Sequence, residues 1–384
     1  MTDIYVSALG QLDNIGDSAL RRGYLNALRL AGTLHVLVPD DEPYVSGLGL
    51  PAEDIRYRLR DRWRVAALRG AIRGHAGFAL NAGEATLDSD YAKYCGRIAA
   101  IAALARFRGT KVVIAGSGFR PGFLGDPLAG STLVGDAPWA VRTLARRCAF
   151  VGWRDEQTQR AVDIGTVVPD WAFGLGQSSD SLLQPERAAG RDLLVISLRA
   201  SGPSLTRERT AQVRRLATKG GLDPVVLVQV GRDNELAEKV AKESGFRCLP
   251  WHGGSHLERE AFVRSIYARS RWVISNRVHA LILALTEGAI PLAPADLGSE
   301  KSARIFHAAG ISNVSVPAST PLSELPAAVV AAGCFAELCR ARASLELAAG
   351  RLVDVLPAVR QSGRVPAAGN LVTQHDLPAD GLQP

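Results

Sequence analysis

Short apolar, β-branched runs alternate with longer stretches whose apolar residues recur every three or four positions, along almost the whole chain. The period switches repeatedly from that of a buried strand to that of an amphipathic helix, the mark of parallel α/β sheets. Strands are predicted at 3–8 (DIYVSA), 34–38 (LHVLV), 111–116 (KVVIAG) and 149–153 (AFVGW) in the first half. In the second half they are predicted at 192–198, 224–230, 246–251, 271–276 and 289–294. Helical spacing predicts helices over 18–31, 206–219, 233–243 and 258–269, with a long Ala- and Leu-rich helix over about 321–355.

One segment, 176–191 (GQSSDSLLQPERAAGR), is rich in Ser, Gly and charge and interrupts the rhythm, so the domain boundary is placed there. The reading is an N-terminal Rossmann-like domain over 1–182, a C-terminal one over 183–360, and a flexible tail over 361–384, which lacks periodicity. Two such halves joined by a linker describe a GT-B-like α/β architecture, with the last helix packing back across the domain boundary. At 384 residues the chain is long enough for two cores of comparable size.

Composition narrows the class. Hydrophobic residues make up 47% and charged residues 22%, which excludes a disordered chain. Five cysteines without CxxC pairs indicate neither a disulfide framework nor a zinc ribbon. The N-terminus runs directly into a strand, with no secretory pattern, and no apolar run has membrane-spanning length. A cytoplasmic protein is expected, with peripheral contact on the inner face of the membrane as a further expectation. The net charge of +7 calls for an acidic partner: a polyanion, an anionic lipid surface or a phosphorylated small molecule.

The chemistry is sought where strands meet helices. In GQLDNIGDSALRRG a loop follows the first strand, and Asp17 is read as the N-cap of a helix closed by Gly32. Such a loop aims backbone N–H groups at the ligand edge of a sheet, although an ordinary βα turn has the same look. In KVVIAGSGF, Gly116, Ser117 and Gly118 are read as a tight turn directly after a strand, where small residues permit a ligand to approach the backbone. Arg154 ends the strand before Asp155, itself read as a helix N-cap; the arginine could fork onto a carboxylate or phosphate, or pair with Asp155 or Asp170. In ISNRVHALILAL a helix is expected to start around 276–278. Only a chain still extended through 276–279 would point Arg277 and His279 the same way, toward an anion at the helix N-terminus. Lys301 could reach the same crevice as a third cation. No HExxH, clustered His/Cys set or GxSxG elbow is present in the sequence, so a metal-free, anion-handling transferase is expected, without a cofactor.

Taken in order, NIGDSAL, AGSGF, GWRDEQT with VPDWAF, VISLR, and ISNRVHALILAL with the SEK lysine resemble the polysaccharide pyruvyl transferase family, over roughly residues 10–305. The resemblance implies a GT-B-like fold and transfer of a pyruvyl group from phosphoenolpyruvate to two sugar hydroxyls as a cyclic ketal, with release of phosphate. It places Arg154, Arg277 and His279 at positions that bind or activate the donor, with Lys301, Arg199, Ser117 and Gly118 as further donor contacts. Asn14, Gly16 and Asp17 are candidates for the acceptor side, where the sugar of a cell-surface polysaccharide or glycolipid, lipid-linked or not, would enter. His279 is the candidate general acid that protonates the enol methylene. Residues 41–90 match no motif of the family.

Two rivals are carried. A nucleotide-sugar glycosyltransferase of the same architecture would bind UDP or GDP and use Glu287 or Glu300 on the ribose. A non-catalytic basic module would instead bind anionic membrane or nucleic acid through residues 56–73, part of a stretch with seven arginines. Aromatic residues are too sparse there for a base-stacking platform, so nucleic acid is not an expected partner, whereas a peripheral membrane contact is.

Overall fold

The computed structural model describes residues 2–74, 76–86, 89–105, 109–120, 139–184, 190–325 and 327–356. The expected tail over 361–384, and part of the segment between the halves, lie outside the described residues. Two parallel sheets form. The first contains β1 (Asp3–Ser7), β2 (Thr33–Leu37), β3 (Ile55–Tyr57), β4 (Ala76–Ala79), β5 (Gly83–Ala85), β6 (Lys111–Phe119), β7 (Phe150–Trp153) and β8 (Thr166–Val167). Their order is β3-β2-β1-β4-β6-β7-β8, with β5 added beside β6.

The second sheet runs β11-β10-β9-β12-β13-β14, from β9 (Leu193–Ser197), β10 (Asp223–Leu227), β11 (Arg247–Leu249), β12 (Ser270–Ser275), β13 (Ile290–Pro294) and β14 (Ser315–Val316). The central strands β9 and β12 are almost wholly buried. That burial is why they read as unbroken apolar runs rather than alternating ones. This is the two-domain Rossmann-like, GT-B-like α/β fold.

Several elements differ from expectation. The stretch read as one basic segment is split into β3 and the helix Arg60–Arg73. β4 and β5 are built largely of Ala and Gly and carry no β-branched signal. The predicted turn at Gly116–Gly118 is not a turn: β6 continues to Phe119, and Gly116 sits at φ 87° where the register with β7 shifts between Ala115 and Ser117. Glycine supplies that left-handed residue of an irregular strand at no steric cost.

Helix Ile15–Arg29 belongs to both halves. Ile15 and Ala19 join the core of the second domain, while Leu20, Leu25 and Leu28 join that of the first. The last helix, Ala327–Val355, packs back as expected: Cys334, Leu338, Ala341, Leu345 and Leu352 enter the core that Leu34, Val36 and Leu281 also line. Each fully buried aliphatic side chain of that kind contributes about 1.5–3 kcal/mol. Arg342 of this helix donates to the carbonyls of Phe173, Leu175 and Gln177, fixing the crossing segment between the domains.

Candidate functional site

The carboxyl ends of both sheets face one another across a cavity of about 620 Å³. Its walls carry Asn14, Asp17, Arg154, Arg199, Arg277, His279 and Lys301, so seven of the ten sequence-predicted residues are brought together. Gly16 lies immediately behind the wall. A Cβ added to it would fall 2.4 Å from His279 Cβ, so only glycine lets the two helices approach. Ser117 and Gly118 do not line the cavity. The Ser117 hydroxyl donates to the Asn81 carbonyl at 2.8 Å and its own carbonyl accepts from Arg154 N–H, which makes it a support beneath Arg154.

The first helix is capped by Asn14, not by Asp17 and Gly32 as the spacing suggested. The Asn14 side chain accepts from Gly16 N–H at 3.0 Å, and the helix ends at Arg29 with Leu30 as C-cap. Asp17 lies in the first turn, where its carboxylate accepts from Gln11 N–H at 2.9 Å and faces Arg21 at 3.3 Å. Burial pushes this carboxyl up, but Arg21 and His279 outweigh it and hold it below the usual 3.8. Asp155 is the N-cap of helix Glu156–Val162, as read from the sequence.

The turn after β12 is pinned on all sides. Asn276 accepts from Arg199 N–H at 2.8 Å and donates to the Leu297 carbonyl at 2.9 Å. The chain is extended through Arg277 (φ −93°, ψ 116°) and turns helical at Val278, so Arg277 and His279 share the cavity but take different partners. Arg277 donates two hydrogen bonds, 2.7 and 2.5 Å, to the buried Asp233, whose carboxylate also accepts from Ala200 N–H. Its fork is therefore already engaged by a carboxylate of the protein. His279 Nε2 lies 3.4 Å from Asp170 Oδ2. Burial acts to raise the fully buried Asp170, yet His279 and Arg154 keep it below the usual 3.8.

Arg154 reaches the same Asp170 at 3.5 Å, which realises the ion pair weighed for it. Its Nε and Nη2 are buried and make no hydrogen bond. Arg199, exposed on the rim, has no acidic partner among the described residues.

The residue that sequence reasoning missed is Glu84, at the centre of β5. Lys301 at 2.8 Å, Arg120 at 3.4 Å, Arg304 at 3.7 Å and Arg154 at 3.9 Å surround its carboxylate. Burial would raise this carboxyl, and Lys301 foremost among the cations lowers it below the usual 4.5. Asp170 also faces Arg154 and Asp155 lies 4.0 Å from Arg304, so four cations meet three carboxylates and the corner is cation-rich with a small positive excess. The signal available was the pattern AGFALNAGE, a short apolar run followed by small residues and an acid, set in the segment that matched no family motif. No group of three or more His, Cys, Asp or Glu able to hold a metal occurs among the described residues.

A doubly wound pair of sheets with a charged cleft at their facing carboxyl edges defines a GT-B-type fold. A sequence model of the polysaccharide pyruvyl transferase family matches residues 14–289, and the chain belongs to that family. Among solved structures the fold is similar to UDP-GlcNAc 2-epimerase from Neisseria meningitidis bound to UDP-GlcNAc. The TM-score is 0.53 and the identity 10%, over 92% of this chain and 100% of that one. It is also similar to Anabaena HepE in complex with UDP, with TM-score 0.49 and 11% identity over 93% and 97% of the two chains. No curated protein sequence matches.

Proposed function

We propose that the protein transfers the pyruvyl group of phosphoenolpyruvate to two hydroxyls of a sugar, forming a cyclic ketal and releasing phosphate. The observation that carries the reading is His279. It stands on the cavity wall between the carboxylates of Asp170 and Asp17, beside the cation-rich corner of Arg154 and Lys301.

The donor presents a carboxylate and a phosphate. Arg154, Lys301 and Arg199 supply cations from three separate chain segments, enough to fix both groups in one orientation. Protonated His279 gives its proton to the methylene carbon, the C=C pair becoming the new C–H bond and leaving an oxocarbenium-like centre at the neighbouring carbon. A sugar hydroxyl adds there and gives its proton to Asp17. The phosphate then departs with its bonding electron pair, and the second hydroxyl closes the ring, its proton leaving with phosphate. Asp170 holds the imidazole edge in place throughout.

A nucleotide-sugar transferase remains the comparison reading, but neither of its candidate glutamates is on the cavity wall. Glu287 is buried against Arg264 at 2.5 Å, and Glu300 is exposed at a helix start. The test is a melt with phosphoenolpyruvate, UDP, GDP and inorganic phosphate. A ligand at about 100 times its Kd adds roughly 2.7 kcal/mol of stability, readily seen as a shift. Phosphoenolpyruvate should give the largest shift, and His279→Asn should keep it while phosphate release with acceptor falls by about 10²–10⁴. A shift confined to UDP or GDP would replace the pyruvyl reading with the glycosyltransferase one.

A further inference from the structure

A helix on the surface of a domain ordinarily turns charge to solvent and apolar residues inward. Helix Arg60–Arg73 turns both ways. Trp63, Ala67, Gly70 and Ala71 face the sheet, and Trp63 Nε1 donates to the His35 carbonyl at 2.9 Å. On the opposite side Val65, Leu68 and Ile72, spaced i, i+3, i+7, form the outermost ridge at 48, 54 and 54% exposure, and Leu59 at the helix start is 58% exposed.

Arginines flank that ridge on both sides. By helical spacing Arg62, Arg69 and Arg73 run along one edge and Arg64 lies on the other, while Arg60, exposed at the first position of the helix, falls in line with Trp63 and Ala67 on the sheet side. Arg64 pairs with Asp61 in the same helix; Arg60, Arg62, Arg69 and Arg73 have no acidic partner among the described residues. An apolar crest beside a row of three unneutralised guanidinium groups matches the boundary between acyl chains and anionic headgroups, where long arginine stems lie along the apolar layer with their heads in the charged one. A protein partner would need an acidic row set alongside an apolar groove; an anionic lipid leaflet offers both by its nature.

We propose that this helix is the surface by which the protein docks on an anionic membrane. The helix starts directly after β3, at the carboxyl edge of the first sheet, the edge that borders the cavity. Docking there brings the cavity close to an acceptor held at the leaflet, and it holds whether or not the reaction is pyruvyl transfer.

The test is co-sedimentation of the purified full chain with phosphatidylglycerol/phosphatidylcholine vesicles and with phosphatidylcholine vesicles alone. Binding is expected to the anionic vesicles, weakened but not abolished by salt. Val65→Ser with Leu68→Ser should reduce it about tenfold or more while the melting temperature holds, since both side chains are half exposed. Arg62→Gln with Arg69→Gln should reduce it and flatten its salt dependence. Absence of binding to the anionic vesicles overturns the proposal, as does binding that the serine pair leaves unchanged. So does a wild-type dimer in size exclusion that the serine pair converts to monomer, which would make the ridge a contact between copies.

Discussion

Arg277 was singled out as a donor ligand because a charge at the end of a buried strand needs a partner, and its partner proves to be inside the protein. The Arg277–Asp233 pair is nearly sequestered, with side-chain exposures of 14 and 4%. Removing one member of such a pair strands the other charge in a low-dielectric site, which typically costs about 3–5 kcal/mol. Arg277→Ala is therefore expected to lower the melting temperature sharply with no ligand present. Asp233→Ala in the same chain should recover part of the loss, because the stranded carboxylate is gone. Equal and additive losses in a double-mutant cycle would show that the two side chains do not support each other. Donor binding is better probed at Arg199, whose guanidinium makes no ion pair among the described residues and whose truncation leaves no buried carboxylate of theirs behind.

Between elements, the decisive contact is that of helix Ile15–Arg29 with helix Val278–Thr286. Alanine is worth about 1 kcal/mol more than glycine within a helix, so propensity alone favours Gly16→Ala. The added Cβ, however, would meet His279 Cβ at 2.4 Å and Nδ1 at 2.5 Å, a clash that the pinned turn at Asn276 cannot relieve by sliding. Overpacking costs about 1–3 kcal/mol, enough to cancel the gain in propensity. The variant should fold yet lose phosphate release by about tenfold or more as the imidazole is displaced. Wild-type turnover would mean that His279 does not need its place. The same elements show what was legible beforehand. Long buried runs such as β9 and β12, and the helix that opens at 278, were readable because burial on both faces leaves an uninterrupted apolar signature. β4, β5 and β8 were not: AGFA and GEA carry no β-branched residue and TV is only two residues long, so all three are held by their neighbours' ladders rather than by a run of their own. Glu84 was hidden for the same reason. Its meaning comes from Lys301, Arg304, Arg120 and Arg154, which lie far from it in the chain and converge only after both sheets have formed.

Over the whole molecule the two domains that face the cavity are joined by the apolar contacts of helix Ile15–Arg29 and by polar contacts, some exposed and some buried. Gly231 N–H donates to the Asp13 carbonyl at 2.8 Å, Arg232 pairs with Asp13, and Arg22 pairs with Glu260. His256 is the titratable member within reach of mild acid. It is fully buried at the interface, with Nε2 2.9 Å from the Leu12 carbonyl, to which it donates, and Nδ1 3.0 Å from Ser18 Oγ. Burial pushes its pKa below the usual 6.5, against the opposing pull of the Leu12 carbonyl, Asp41, Glu260 and Asp13. The unfolded chain therefore takes up a proton at a pH where the folded one does not. The stability due to neutral His256 is fully present above about pH 6.5 and is lost as pH falls through its lower folded value. Melting temperature should accordingly decline from pH 7 into mild acid, well before the carboxylates held low at Asp17 and Asp170 begin to protonate. His256→Gln keeps an N–H donor for the Leu12 carbonyl but cannot titrate, so it should flatten that decline even if its melting temperature at pH 7.5 is lower. An unchanged slope in the variant would assign the pH dependence to another group and leave His256 as a packed, uncharged joint between the domains.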